Sequence, residues 1–417
     1  MRIIHVDSYS PTGFLAKHIK EVDKFPERID HYWGFRVLSR IKKNYPNTEC
    51  IFIRPGVDRE PVTANIKGVK VIATSKALIR KDLGSFTDFC PSLISTVKKF
   101  SEGDETIIHM HDYSLVNTVS LAFILRNKKV MLQHIGPPHS IPRIKELIKE
   151  KKGSSFLKIM GYYTLVFLLE RMLPRSSHYL TLGESERQYM IRYHNILKDN
   201  IHHQPYGIEF NDIKPLSEQK KKIVKDKLGI GENKRIATFV GPIQPQHRGA
   251  DLLPAINNQI KKEINNFQII AIGRVRDTEL ASKLKKDGIM ISGFIPLKDT
   301  LEIVGSSDVF IWPCYKMVDE GGIGMATVEA MSLNIPVVTS TLKHMPVSYH
   351  KEVGIYTENI GEKVNVKNFS NSIKHVLNNK NEYSNVRNTA LEFYDWNRII
   401  NKTMEHYKKM QGSKKEQ

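Results

Sequence analysis

Apolar positions along the chain fall into two patterns that take turns. Short runs such as "RIIHVDS", "ECIFIR", "VKVIAT", "TIIHMHD", "KVMLQHIG" and "HYLTLG" are apolar almost throughout, as strands covered on both faces of a sheet must be. Between them, "HYWGFRVLSRIKKN" and "LVNTVSLAFILRN" space their apolar residues at helical intervals. The second half repeats the alternation. "KRIATFVG", "NFQIIAIG", "GIMISGFI", "DVFIWPC", "IPVVTS" and "GIYTE" read as strands, and "ADLLPAINNQIKKE", "DTELASKLKKDG", "LKDTLEIVGSS" and "MATVEAMSLN" as helices. Strand–helix alternation builds parallel sheets, and two complete sets predict two Rossmann-like α/β domains.

The pattern breaks in "HQPYGIEFNDIKPLSEQKKK", where two prolines, a glycine and a charge run intervene, and a domain boundary is expected there. This gives a first domain over 1–205 and a second over 206–390. Residues 391–417 belong to a helical ending, "NEYSNVRNTALEFYDWNRIINKTMEHYKKM", read as one or two long helices with no strand after them. The last residues, "QGSKKEQ", are expected to be disordered.

The chemistry concentrates in residues 319–340, "DEGGIGMATVEAMSLNIPVVTS". A strand, "DVFIWPC", leads into this glycine-rich turn, and a helix follows at once. In open α/β sheets ligands sit outside the carboxyl ends of the strands. Free N–H groups and the dipole at a helix N-terminus hold phosphate without any side chain, and glycines let backbone approach it. Glu329, one and a half turns into that helix, is placed to accept hydrogen bonds from sugar hydroxyls. No Lys-Ser or Lys-Thr follows the glycines, so this is not a Walker loop. Nor is it the dinucleotide fingerprint, which belongs to a first βα turn. Taken alone, the turn is equally a glycine-rich loop with a surface glutamate.

Composition narrows the partners. Lys+Arg 63 against Asp+Glu 44 gives a net charge of +19, which favours an anionic partner or marks a lysine-rich surface. Aromatic residues are scattered rather than interleaved with basic ones, so no nucleic acid is expected. Cys50, Cys90 and Cys314 are isolated; they read as reduced thiols with no metal spacing. "HMHD" puts His109 and His111 on one face of a strand beside Asp112, a geometry open to a metal, but histidines at strand ends need none and no metal is expected. The start, "MRIIHVDSYS", reads as a strand and not as a signal peptide. The apolar stretch 156–173 carries Lys158, Glu170 and Arg171, which leaves its uncharged interior too short to span a bilayer. Just before it, "IPRIKELIKEKKGSSFLK" has six Lys/Arg against two Glu, including Lys149, Lys151 and Lys152. Such a segment suits an anionic membrane surface, and equally a solvated helix end.

The combination of motifs resembles the donor site of the retaining GT-B glycosyltransferases called group 1. That pattern runs E-G-[FG]-G, a few apolar residues, E-A-M-A, then a Pro-Val-Val strand, and "EGGIG…VEAMSLNIPVVTS" follows it. "FVGPIQPQHRGADLLPAI" looks like the family's first donor-domain strand, turn and helix. "IIAIGRVRDTEL" and "ISGFIPLKDTLEIVGSSDVFIWPCY" look like the next two units. "TLGESERQYMI…QPYGIEF" resembles the interdomain segment, with Tyr206 and Glu209 where Asn and Asp are common. "FYDWNRIINKTMEHYKKM" resembles the terminal helix.

The resemblance implies a GT-B fold: two Rossmann-like domains facing each other across a cleft, with a C-terminal helix crossing back to the first. It implies transfer of a hexose from a nucleoside diphosphate sugar to a glycan or lipid-linked acceptor with retained configuration. No cofactor is then needed beyond the donor substrate. Roles carry over by position. Glu329 binds the ribose, and Gly322, Ile323, Gly324 and Met325 offer N–H groups to the diphosphate. Arg248 neutralises phosphate, Gly241 admits the pyrophosphate, and Phe294 lies where backbone meets the base. His134 matches a first-domain histidine that contacts the transferred sugar, and Glu320 the carboxylate that binds sugar hydroxyls. The expected location is the cytoplasm, with contact at the inner face of the membrane.

Two positions depart from the pattern. Pro242 stands where an arginine is common, so one phosphate contact must come from elsewhere. Glu320 precedes Glu329 by nine positions rather than the usual eight, so Glu320 reaches the sugar through a bulged turn or shares the task with Asp319. Two other readings stay open: a nucleotide-sugar 2-epimerase, which needs further acid/base carboxylates, and a sugar-nucleotide binder without turnover. Donor hydrolysis without acceptor separates an enzyme from a binder.

Overall fold

The computed structural model describes residues 1–8, 29, 32–56, 59–76, 78, 89–103, 105–133, 156–245, 248–314, 324–341, 354–360 and 363–412. The chain divides into two compact units. One holds 1–182, 186–204 and 400–417; the other holds 183–185 and 205–399.

The first unit is built on β1 (Arg2–Asp7), α1 (Trp33–Asn44), β2 (Glu49–Gly56), β3 (Val62–Ile66), β4 (Val69–Lys76), α2 (Pro91–Phe100), β5 (Thr106–His111), α3 (Val116–Ile124), β6 (Lys129–Gln133), α4 (Phe156–Arg171), β7 (His178–Thr181), α5 (Glu184–His194) and β8 (Ile201–His203). Its eight strands lie in the order β3-β4-β2-β1-β5-β6-β7-β8. All neighbours are parallel except β3, which pairs antiparallel with β4. The central strands are covered on both faces: Ile4, Ile51, Ile53 and Ile108 have no exposed surface. That is why their sequences are nearly unbroken apolar runs. β3 is an edge strand with only two of its five residues partly buried, and it leaves no apolar run to read. α2 begins with Pro91 in its first turn, where the missing N–H costs nothing.

The second unit contains α6 (Glu218–Lys227), β9 (Arg235–Val240), α7 (Leu253–Lys261), β10 (Phe267–Ile272), α8 (Thr278–Lys286), β11 (Met290–Gly293), α9 (Leu297–Gly305), β12 (Val309–Trp312), α10 (Met325–Ser332), β13 (Val337–Thr341), β14 (Gly354–Ile360), β15 (Lys363–Val364), α11 (Val366–Asn378) and α12 (Val386–Tyr394). The strand order is β11-β10-β9-β12-β13-β14-β15, with β15 alone antiparallel. The order reverses between β9 and β12, so the turns after these two strands flank the switch point where such sheets bind ligands. The helix expected from Ala250 opens as a 3-10 turn, Ala250–Leu252, and becomes α7 only at Leu253. Pro254 suits the first helical turn and not a position deeper in the helix.

The helical ending breaks in two at Asp395. Its backbone is extended there, and its carboxylate accepts the Asn397 N–H at 2.9 Å, capping α13 (Trp396–Gly412). α13 starts in the second unit, where the buried Trp396 ring lies so close to Gly207 that a Cβ there would come within 2.6 Å of it. From Ile400 onward α13 belongs to the first unit. Gln204 and Thr403 exchange side-chain hydrogen bonds of 2.8 and 3.1 Å there, and Tyr407 reaches the centre of the first sheet.

Candidate functional site

β9 ends at Val240, and the turn that begins at Gly241 reaches Arg248, Gly249 and the 3-10 turn. Gly249 is left-handed (φ 78°), and a Cβ on it would overlap the carbonyl oxygen of Pro313 just after β12. Only glycine lets these two turns close on each other. Arg248 is thereby held beside the end of β12. Its Cδ lies 3.2 Å from where a Gly241 Cβ would stand, and the Phe239 ring lies at 3.0 Å. Gly241 therefore makes room for the arginine stem. Arg248 Nε is buried and has no hydrogen-bond partner among the described residues. Burial holds the guanidinium below the ordinary arginine value; Cys314 opposes that shift and Arg276 adds to it.

After β12 the chain re-enters the described residues at Gly324, the N-cap of α10, which is extended and offers no side chain to the first turn. The Thr327 N–H donates to the Gly324 carbonyl at 2.9 Å, and among the described residues no side chain accepts from the other opening N–H groups of α10. A Cβ on Gly324 would press within 3.2 Å of the Trp312 ring, so β12 sets where the helix begins. Thr327, in the first turn, is 1 % exposed and its hydroxyl has no partner. Glu329 is half-buried on the second turn. The far end of α10 is fixed by Arg387 on α12, whose guanidinium donates to the carbonyls of Ser332, Ile213 and Phe210.

The structure thus brings Gly241 and Arg248 together in one turn, and places Gly324, Met325 and Glu329 at the start of one helix. Phe294 follows β11, two strands away from β9. It is 78 % exposed, with the Arg274 guanidinium 5.6 Å from its ring centre. His134, Glu320, Gly322 and Ile323, along with Asp319 and the basic residues Lys149, Lys151 and Lys152, lie outside the described residues. The turn after β10, "GRVRD", received no role from the sequence, although two arginines directly after a strand-ending glycine are a readable signal.

His109 and His111 are joined by His5, which pairs with His109 across β1 and β5. The ligand atoms of the three lie within 4.8 Å of one another, close enough for one ion. The rings, however, are arranged as a hydrogen-bond chain. Tyr407 Oη lies 2.6 Å from His109 Nδ1 and 2.9 Å from His5 Nε2, and His5 Nδ1 lies 3.0 Å from His111 Nε2. One proton per imidazole satisfies the chain in either direction. His109 and His111 are stacked, 26° apart with centres at 4.6 Å. The group reads as the anchor of α13.

Residues 220–393 match the family model described as "Glycosyl transferases group 1". An uncharacterised glycosyltransferase of Methanocaldococcus jannaschii is 23% identical over 208 residues, 47% of this chain and 50% of that protein. The chain thus spans about half the length of this curated relative. Among solved structures, a sucrose-phosphate synthase from Thermosynechococcus elongatus superposes with a TM-score of 0.66 at 13% identity, covering 98% of this chain and 99% of that one. Anabaena HepE in complex with UDP and glucose superposes at 0.61 with 14% identity, over 98% and 100%. At such identities the likeness shows the fold, which is GT-B: two parallel-sheet α/β domains. Residues 220–393 are thus the part of the chain that is similar to the group 1 glycosyltransferases.

Proposed function

We propose that the protein transfers a hexose from a nucleoside diphosphate sugar to an acceptor hydroxyl with retention of configuration. The observation that carries this reading is the closure of the β9 turn on the end of β12 through Gly249. It holds a half-buried arginine beside the strand that precedes a helix whose N-cap, Gly324, offers it no side chain. A diphosphate is a ligand such a place suits, since it takes N–H groups from the helix and charge from Arg248. Glu329, on the same helix, would take the ribose hydroxyls. As the glycosidic bond breaks, charge grows on the leaving diphosphate, and fixed donors then act most strongly. With no nucleophile assigned, attack from the leaving-group side within an ion pair accounts for retention. Incubation with UDP-, GDP- and ADP-hexoses, without and with acceptor, tests the proposal. Release of nucleoside diphosphate supports it, and proton NMR of the product reads the anomer; no release from any donor contradicts turnover.

For the acceptor we propose a lipid-linked glycan. Leu165, Leu168 and Met172 are exposed on and just beyond α4, and Phe123 and Ile124 are exposed on α3, which packs against it. Arg126 lies over the Phe123 ring and Arg171 over Phe167. Apolar side chains edged by guanidinium groups suit an anionic bilayer surface. Among the described residues no helix is long and apolar enough to cross a membrane. The protein is expected to sediment with anionic but not neutral liposomes, with binding lost at high salt. Leu168→Glu with Met172→Glu should reduce it several-fold. Binding indifferent to lipid charge, or absent, would point to an acceptor free in solution.

A further inference from the structure

The β9 and β10 turns are fastened to each other. Gly241 N–H donates to the Ile272 carbonyl, and Ile243 N–H to that of Arg274, both at 2.9 Å. The N–H groups of Arg276 and Asp277 both return to the Ile243 carbonyl at 3.1 Å. Gly273 (φ 150°) lies so near that a Cβ on it would overlap the Gly241 carbonyl oxygen. This backbone lacing fixes the exposed Arg276 at the carboxyl ends of β9 and β10, on the side where Arg248 stands. The two cations are close enough for Arg276 to disfavour the charge on Arg248. The nearest acid in sequence does not relieve them, because the Asp277 carboxylate caps α8 by accepting the Leu280 N–H at 2.8 Å. Among the described residues neither arginine is in an ion pair. Two laced turns that hold like charges together, with no carboxylate paired to either among the described residues, suit an anion of more than one charge.

We propose that Arg276 is a second diphosphate-binding cation, set opposite Arg248 by the pairing of the β9 and β10 turns. It supplies the charge that Pro242 cannot. This rests on the nucleoside diphosphate reading above and adds to it a residue specific to this chain. The backbone of Arg276 is fixed by its hydrogen bond to Ile243, and a guanidinium carried on it meets two phosphate oxygens at once. Arg274, two residues earlier, lies on Phe294 instead and serves as the control, with the same charge in the same turn.

The test measures, by calorimetry, how much more tightly UDP, GDP and ADP bind than their monophosphates. Arg276→Ala is expected to cut that preference about tenfold and leave monophosphate affinity within twofold. Arg274→Ala should leave the preference intact, and Pro242→Arg should restore it in the Arg276→Ala chain. A preference unchanged in Arg276→Ala overturns the assignment. So does an equal loss in both arginine variants, which would reflect net charge alone. A wild-type chain that binds none of the three diphosphates would overturn the donor reading itself.

Discussion

Arg248→Ala is expected to lower turnover at saturating donor by about 10²-fold while weakening donor binding less than about tenfold. The side chain is held ready, with its stem against Gly241 and Phe239 and its Nε buried without a partner. Burial disfavours its charge, Cys314 opposes that shift, and Arg276 adds to it. An anion reverses both penalties, and the more negative the anion, the greater the gain. The diphosphate carries more charge in the transition state than in the bound sugar nucleotide, so the loss should appear mainly in turnover. Initial rates over a donor series, set beside calorimetric Kd values, separate the effects. Unchanged turnover with a raised Michaelis constant would show that Arg248 serves ground state and transition state alike.

Acid is expected to destabilise the first unit steeply. His5, His109 and His111 are buried in its sheet, and burial, with their mutual repulsion at His5 and His109, holds all three below the ordinary histidine value; His111 falls to about 3. A second group joins β7, β8 and α13. His178 Nδ1 lies 3.1 Å from His202 Nε2, and the His202 and His406 rings stack at 4.2 Å. Burial, neighbouring histidines, Lys402 and Lys409 lower His202 to about 4 and His406 to about 3. These groups stay neutral in the folded chain but protonate near pH 6.5 once unfolded. The stability they contribute is therefore complete above pH 6.5 and is lost between there and about pH 3. Each fully buried ring adds a slope of about 1.4 kcal/mol per pH unit, with less from the partly buried His202. Urea denaturation at intervals from pH 8 to pH 5 reads this directly. His406→Phe, which keeps the stack and removes one proton, should flatten the slope; stability constant down to pH 5 would contradict the assignment.

What could be read from the sequence follows from how local each feature is. The buried parallel strands announce themselves because two-sided burial leaves no polar position to confuse the period. β3 and β8 do not: β3 is an antiparallel edge, and β8 is "IHH", with its second residue covered by a histidine roughly two hundred positions later, on α13. The glycine-rich stretch and Glu329 stand out in the sequence because a phosphate site at a helix start, as proposed, would use contiguous residues. Gly241 shows the limit of that legibility, since its missing Cβ accommodates Arg248, a reason visible only once the turn is folded. His5 joins His109 through the register of β1 and β5, and Arg276 joins Arg248 through hydrogen bonds between two turns. The arginines of "GRVRD" are visible in the sequence, but pairings of that kind leave no local signature, so neither partnership could be found by spacing.

The central claim, that the turn into α10 binds the nucleotide of a sugar donor, is tested most directly at Glu329. Calorimetric titration of the wild-type chain and of Glu329→Ala with UDP, GDP and ADP, with circular dichroism to confirm equal folding, is the measurement. Loss of charge-assisted hydrogen bonds worth roughly 1.5–3 kcal/mol predicts a tenfold or greater fall in affinity for the diphosphate that the wild type prefers. Equal affinity in the two chains would contradict the account.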